Sequence, residues 1–220
     1  MKLKDFVKKY GKPYSEILGI ELKSRKNSEI IKWFLASILY AKPIRENSAT
    51  KTYLCFKKHN VLSNKKILEV GWNKLVEILD EGSYTRYDFS TADKLLEVFN
   101  NLQKKYGGSL NELYKQAEDG EDLEKRLKEL GRGIGDVTVS IFLRDLRGIW
   151  IKAKPKPSPL VRLAMKKFGI KNLEEFSKKK GLKPVRLETA FLKLGKDFIK
   201  KKKLIKLDLW IIKIYLILDG

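Results

Sequence analysis

The sequence has little of the chemistry that most metal and thiol sites require. Its 220 residues include one cysteine and one histidine. A single cysteine, Cys55, excludes an internal disulfide and any iron–sulfur cluster held by several thiolates. A single histidine, His59, leaves little for a zinc site or a histidine-based catalytic dyad. We therefore expect no metal, no metal cluster and no cofactor, with Cys55 as a small buried residue.

Long apolar runs and a signal-peptide pattern are also absent. The longest apolar candidate, residues 207–218, is 12 residues long and contains Asp208 and Lys213. A membrane-spanning helix needs about 20 apolar residues. We expect no membrane partner and a cytoplasmic, monomeric protein. Periodicity alone does not decide whether residues 207–218 form a buried helix or a strand.

What the sequence does have is positive charge, unevenly distributed. The formal net charge is +21, from 48 Lys and Arg against 27 Asp and Glu. Residues 1–68 carry +11 and residues 152–206 carry +15, whereas residues 69–124 carry −7. Basic ends around an acidic middle favour a polyanionic partner, most naturally nucleic acid. The alternative is lysine used for solubility or thermal stability, and abundant Lys with Glu and Ile is typical of thermophiles.

Apolar spacing predicts an all-α protein of about ten helices in two lobes. The first strong helix is predicted to begin at Ser28. Ser63, Ser109, Ser158 and Asn172 are predicted to begin later helices, and either Ser90 or Thr91 another. A lysine- and proline-rich connector follows Trp150. The predicted organisation is an N-terminal extension (1–27) that packs on the second lobe, a helical lobe (28–150), and a connector with basic C-terminal helices (151–220).

The stretch from Leu127 to Trp150 contains the most informative pattern. We predict that a helix through Leu127 and Leu130 ends at Gly131, that Gly133-Ile134-Gly135 forms a tight hairpin, and that Asp136 or Thr138 caps the next helix. Such a hairpin leaves backbone N–H groups unpaired at the positive end of a helix dipole, which suits a phosphate. The alternative is a plain turn between packed helices.

These residues, LGRGIGDVTVSIFLRDL, resemble the helix-hairpin-helix of the endonuclease III-like DNA glycosylase superfamily. The resemblance implies a bilobal helical fold, a duplex DNA partner, and a base turned out of the stack for excision. The chain departs from the family's catalytic pattern, however. Pro157 stands at the aspartate position, and Val137 stands where bifunctional members carry a Schiff-base lysine.

The resemblance assigns candidate site residues. Asp145, on the helix after the hairpin, is the candidate replacement for the missing catalytic aspartate, and an ion pair with neighbouring arginines is the alternative. The candidate base pocket comprises Tyr84, Tyr87 and Asp88, of which Asp88 alternatively caps a helix. The candidate DNA-binding residues are Arg132, Gly133, Ile134, Gly135, Val137, Thr138, Lys152, Lys154 and Arg162.

Two functions from different classes remain. One is a divergent, metal-free, monofunctional glycosylase acting in base-excision repair. The other is a non-catalytic DNA-binding protein on the same scaffold that recognises lesions or junctions.

Overall fold

The computed structural model describes residues 2–200, with side chains as far as residue 196. Over this range the protein is all-α, as predicted, with no β-strand. The twelve α-helices of this range are α1 Leu3–Tyr10, α2 Tyr14–Ile17, α3 Asn27–Tyr40, α4 Glu46–Lys58, α5 Asn64–Glu81, α6 Asp88–Tyr106, α7 Leu110–Gln116, α8 Gly120–Lys128, α9 Asp136–Asp145, α10 Pro159–Lys167, α11 Leu173–Lys179 and α12 Pro184–Lys200. A 3₁₀ turn, Leu22–Ser24, precedes α3. The undecided segment 207–218 lies outside the described residues.

The chain forms two compact units, one of residues 18–155 and one of residues 1–17 with residues from 156 onward. In the first unit, α3 is the central helix. Its side chains from Trp33 to Leu39 are all fully buried. The Trp33 indole Nε1 donates to the Phe142 carbonyl oxygen at 2.9 Å, and the Phe34 ring meets Phe142 edge-on at 5.0 Å. This helix therefore belongs to the core of the first unit.

In the second unit, α12 packs against α1, α10 and α11. The Arg186 guanidinium pairs with both Glu16 carboxylate oxygens, at 2.9 and 2.7 Å. Gly195 approaches the Leu160 carbonyl so closely that a Cβ there would lie 2.2 Å from its oxygen. The glycine therefore permits α10 and α12 to pack backbone against backbone.

Four helix starts agree with the capping residues predicted from the sequence. Ser63, Ser109 and Ser158 each accept a hydrogen bond from the backbone amide three residues on. Asn172 Oδ1 accepts from the amides of both Glu174 and Glu175, at 3.0 and 3.2 Å. These caps were predictable because each depends on residues no more than three positions apart.

Other predicted boundaries are wrong. The first strong helix begins at Asn27 rather than Ser28, and α6 begins at Asp88 rather than at Ser90 or Thr91. Thr91 is instead fully buried inside α6. Helix α8 ends at Lys128, before Gly131. Neither Asp136 nor Thr138 caps α9, because its N-cap is Gly135, which has no side chain to offer.

Candidate nucleic-acid interface

The predicted helix, glycine turn and helix are present as α8, residues 129–135 and α9. We call residues 129–135 the hairpin. Gly133 has φ +77°, a left-handed conformation that favours glycine. The Ile134 side chain is 4% exposed and anchors the turn in the core. A tight turn between two helices is therefore what these glycines produce.

A polar stripe on α6 holds the hairpin in place. Lys94 Nζ donates to the Gly133 carbonyl at 3.0 Å, and Asn101 Nδ2 donates to the Leu130 carbonyl at 2.9 Å. Glu97 Oε1 accepts from the Arg132 amide at 3.2 Å. Lys105 Nζ, at 3.4 Å from the Glu129 carbonyl oxygen, completes the stripe. Because the stripe residues recur every three or four positions, one face of α6 binds the whole hairpin.

Gly131 has a packing role in the same contact. A Cβ at this position would lie 2.7 Å from Val98 Cγ2 on α6. This separation is too short for a real side chain, so glycine is what permits the hairpin to sit directly on α6. Gly131 was predicted to end the helix, but α8 ends at Lys128 and the glycine is instead required by the close contact with α6.

The hairpin leads into the N-terminus of α9, where the first backbone amides have no partner within the helix. Gly135 and Asp136 are exposed, and the amides of Asp136, Val137 and Thr138 have no acceptor among the described residues. The Val137 side chain is 60% exposed, whereas Thr138 is buried. Three N–H groups thus converge at the positive end of the α9 dipole, an arrangement that can hold an anion.

One carboxylate lies beside these amides. The Asp136 side chain is exposed and pairs with Lys128 at 2.6 Å. This ion pair lowers the pKa of Asp136, so the carboxylate remains charged but is neutralised by its partner. The exposed Arg132 adds a positive charge to the same turn.

The two tyrosines of the loop between α5 and α6 differ in burial. The Tyr84 ring is 1% exposed, and its hydroxyl donates to the Leu39 carbonyl at 2.8 Å. Pro43, four residues after Leu39, has no N–H to offer that carbonyl, so Tyr84 closes the C-terminal end of α3. Tyr84 therefore supports the loop from inside and does not offer its ring to a base.

Tyr87 is half-buried, and two cations lie near its ring. Lys42 Nζ is 5.1 Å from the centre of its ring, and the Arg86 guanidinium carbon is 5.6 Å away. Asp88 does not provide the helix cap that the sequence left open as an alternative, because it is the first residue of α6 and the N-cap is Tyr87. Its Oδ1 accepts from the adjacent Phe89 amide at 2.6 Å. Of the candidate base-pocket residues, Tyr87 is the one whose ring lies near cationic side chains.

Asp145 lies at the other end of α9, roughly 14 Å along the helix from Asp136. Its side chain is fully buried, and Oδ1 accepts from Arg144 Nε at 2.9 Å. The Arg144 side chain is 5% exposed, so the two charges form a buried ion pair. The geometry matches the alternative of an ion pair with a neighbouring arginine, and it does not place the carboxylate against an open surface.

The remaining basic candidates have different surroundings. Lys152 Nζ donates to the carbonyls of Tyr114, at 3.1 Å, and of Ala117, and it lies 4.9 Å from the centre of the Tyr114 ring. It therefore closes the C-terminal end of α7. Lys154 is exposed. Arg162 is exposed on α10, in the other unit.

Two features of this surface were not predicted from the sequence. Lys94 Nζ donates to the Gly133 carbonyl although 39 positions separate the two residues, and only the fold reveals that. Trp72 and Phe89 form an exposed aromatic pair with ring centres 5.3 Å apart, and Trp72 Nε1 donates to Asp93 at 2.8 Å. Aromatic residues in a strongly basic chain can stack on nucleic-acid bases, so the sequence alone could have indicated this pair.

None of the helices between residues 2 and 200 is long and apolar enough to cross a membrane. Comparisons of the chain with protein-family models, with curated proteins and with solved structures find no match.

Proposed function

We propose that this protein binds duplex DNA by its backbone phosphates, through the hairpin and the N-terminus of α9, whose sequence resembles the helix-hairpin-helix of the endonuclease III-like glycosylases. The observation that carries the proposal is the set of three amides, from Asp136 to Thr138, that have no acceptor among the described residues. A helix N-terminus with exposed amides binds phosphate oxygens by hydrogen bonding and by its dipole.

Charge supports the same partner. The chain carries a net charge of +21, and Arg132 and Lys94 lie on or beside the hairpin. Phosphate contacts fix a protein on the duplex without reading its sequence. We therefore expect affinity that varies little with base sequence and falls steeply with salt.

A second candidate is base excision by a divergent monofunctional glycosylase. The observation that favours it is the half-buried Tyr87 ring in the loop before α6, whose centre is 5.1 Å from Lys42 Nζ and 5.6 Å from the Arg86 guanidinium carbon. An aromatic face beside positive charge is suited to stack on a base turned out of the duplex. Base excision also needs a carboxylate near the sugar. Asp145 serves this role only if its buried pairing with Arg144 opens.

The two candidates are separated by measuring binding and base release on the same substrates. A panel of duplexes with single lesions, abasic sites, mismatches and a junction is titrated for affinity and incubated for base release. Binding without release on every duplex supports the non-catalytic function. Release of one base class supports the glycosylase, and absence of duplex binding at low salt contradicts both.

A further inference from the structure

We propose that the side chains of Trp72 and Phe89 form a stacking platform for an unpaired base, so that the preferred ligand is a duplex with a short single-stranded segment. The inference rests on the proposed DNA binding at the hairpin and deepens it, because it names the class of substrate. Neither the hairpin pattern nor the family resemblance assigns these two residues.

The platform combines one ring from each of two packed helices. Trp72 lies on α5 and Phe89 in the first turn of α6. Their ring centres are 5.3 Å apart, and the ring planes are inclined by 37°. Both side chains are exposed, and Phe89 keeps 58% of its surface open to solvent. The two rings therefore contact each other and still leave ring surface available to a ligand.

The indole of Trp72 is held in a defined orientation. Its Nε1 donates to Asp93 Oδ1 on α6 at 2.8 Å. The preceding residue, Gly71, has φ 69° and ψ 179° inside α5, a conformation that is essentially restricted to glycine. The helix is thus interrupted one residue before the exposed indole, and the contacts with α6 fix the ring. A fixed aromatic ring loses little conformational freedom when a ligand stacks on it.

The size of the platform favours a single planar ligand over a protein surface. An aromatic side chain buries about 150–250 Å² when it is fully enclosed. A standard protein interface buries about 800 Å² on each partner, far more than these two rings can supply. The neighbouring exposed residues Asn73, Ser90 and Asp93 are polar, so the apolar surface does not extend beyond the rings along either helix. One base matches this area.

The charges around the platform favour a nucleic acid as the source of that base. The carboxylate that contacts the platform, Asp93, is already bound to the indole N–H. Arg86 is exposed in the loop that leads into α6, and Lys94 directly follows Asp93. On α5, Glu69 pairs with Lys66 at 2.8 Å. In a chain of net charge +21, an exposed aromatic pair beside basic residues suits base stacking with the phosphates nearby.

The platform lies on the same helix as a residue that holds the hairpin. Asp93 binds Trp72, and the next residue, Lys94, donates to the Gly133 carbonyl at 3.0 Å. Phe89 precedes Lys94 by five positions, which is about 8 Å along the helix axis. One strand of DNA advances about 3.4 Å per nucleotide, so this distance corresponds to roughly two nucleotides. A strand held by its phosphate at the hairpin therefore needs only a short unpaired extension to reach the platform.

The test measures the affinity of the full-length protein for three DNA ligands. The first is a blunt duplex, and the second is the same duplex with a short single-stranded overhang. The third carries an overhang of abasic sugar-phosphate units, which keeps the phosphates and removes the bases. Overhangs at the 5′ and 3′ ends are measured separately. For one of these polarities we expect the bases to raise affinity by roughly tenfold over the abasic overhang, the effect of stacking about one base.

Variants assign the gain to the platform. Trp72→Ala and Phe89→Leu should each abolish it, because alanine and leucine have no aromatic face, whereas Phe89→Tyr should retain it. Leu54→Ala is the matched control, since it truncates an exposed apolar side chain on α4. All four variants should bind the blunt duplex as the wild-type protein does. Gly135→Val should instead weaken binding of all three ligands by the same factor.

Tryptophan fluorescence supplies a second readout. Trp33 and Trp150 are buried, so a base that stacks on the exposed indole of Trp72 should quench mainly that residue. Quenching should occur with the base-bearing overhang and not with the abasic one, and Trp72→Phe should remove it. Melting temperatures identify any variant that fails to fold, and the wild-type comparison of base-bearing and abasic overhangs then decides.

The negative outcomes are distinguishable. If base-bearing and abasic overhangs of both polarities bind equally, or if Trp72→Ala and Phe89→Leu match Leu54→Ala on them, the platform is refuted while the hairpin proposal stands. If Trp72→Ala alters the oligomeric state of the free protein and not the preference for bases, the rings are a contact between copies and the platform is again refuted. If the wild-type protein binds none of the three ligands, both proposals fail together.

Discussion

Replacing Asp145 with asparagine distinguishes a buried structural carboxylate from a catalytic one. The Asp145 side chain is fully enclosed and accepts from Arg144 Nε at 2.9 Å, and the Arg144 side chain is only 5% exposed. Asparagine keeps the size and the acceptor oxygen but removes the negative charge. The guanidinium then stays buried and loses the charge of this carboxylate.

Breaking a buried ion pair in this way costs about 3 to 5 kcal/mol. The retained acceptor puts the expected cost near the lower end, about 3 kcal/mol. For a protein of this size each kcal/mol lowers the melting temperature by roughly 2–4 °C. We therefore expect Asp145→Asn to melt roughly 6–12 °C below the wild-type protein. Calorimetry or circular dichroism measures the shift.

The control is Asp80→Asn, which removes a carboxylate from an exposed position on α5 and should leave the melting temperature within about 1–2 °C. Adding Arg144→Met to Asp145→Asn removes the stranded charge and should recover part of the loss. If Asp145→Asn melts like the wild-type protein yet abolishes base release from a lesion, the structural interpretation is refuted and Asp145 is catalytic.

Four further substitutions test other parts of the proposed structure and function. Gly135→Val should weaken binding to all duplexes alike, by roughly tenfold, because the added side chain meets nothing within 4 Å in the fold but covers the α9 amides. Unchanged duplex affinity in this variant counts against the hairpin as the binding site. Gly135→Val is a cleaner probe than Gly133→Val, whose Cβ would lie 2.8 Å from Lys94 Cε. Lys154→Gln should reduce the slope of log affinity against log salt by about 0.9, which salt titrations measure. Lys152→Gln should instead cost about 1 kcal/mol of stability in urea unfolding, because its hydrogen bonds to α7 are lost. A stability loss in Lys154→Gln and a reduced salt slope in Lys152→Gln would contradict these assignments. Tyr84→Phe should lower the free energy of unfolding in urea by about 1–2 kcal/mol, because the Leu39 carbonyl loses its donor. Duplex affinity should be unchanged, and an affinity loss without destabilisation would show that Tyr84 contacts the DNA.

Local features of this fold were predictable and its tertiary contacts were not. Ser63 and Asn172 were identified as caps because the amides that they accept from are two or three residues away. The hairpin was identified by its paired glycines and by the helical spacing on either side. Gly131 was assigned the wrong role because its constraint comes from Val98 on α6, which local spacing does not reveal.

The same limit applies to the candidate site. The stripe on α6 from Lys94 to Lys105 has helical spacing, but a polar stripe is typical of a solvent-facing surface. Only the packing of the hairpin onto α6 turns these side chains into partners of backbone groups. Burial likewise decides the role of Tyr84, whose position beside Tyr87 in the sequence indicated a shared pocket. Its hydroxyl instead closes the end of α3.

The central claim is that the amides at the start of α9 bind DNA phosphate. Titrating the ¹⁵N-labelled protein with an undamaged duplex and following backbone amide resonances tests it most directly. The account predicts that Gly135, Asp136, Val137 and Thr138 show the largest amide shifts and slowed hydrogen exchange, and that both effects diminish as salt is raised. Binding of the duplex with these four resonances unmoved would contradict the claim.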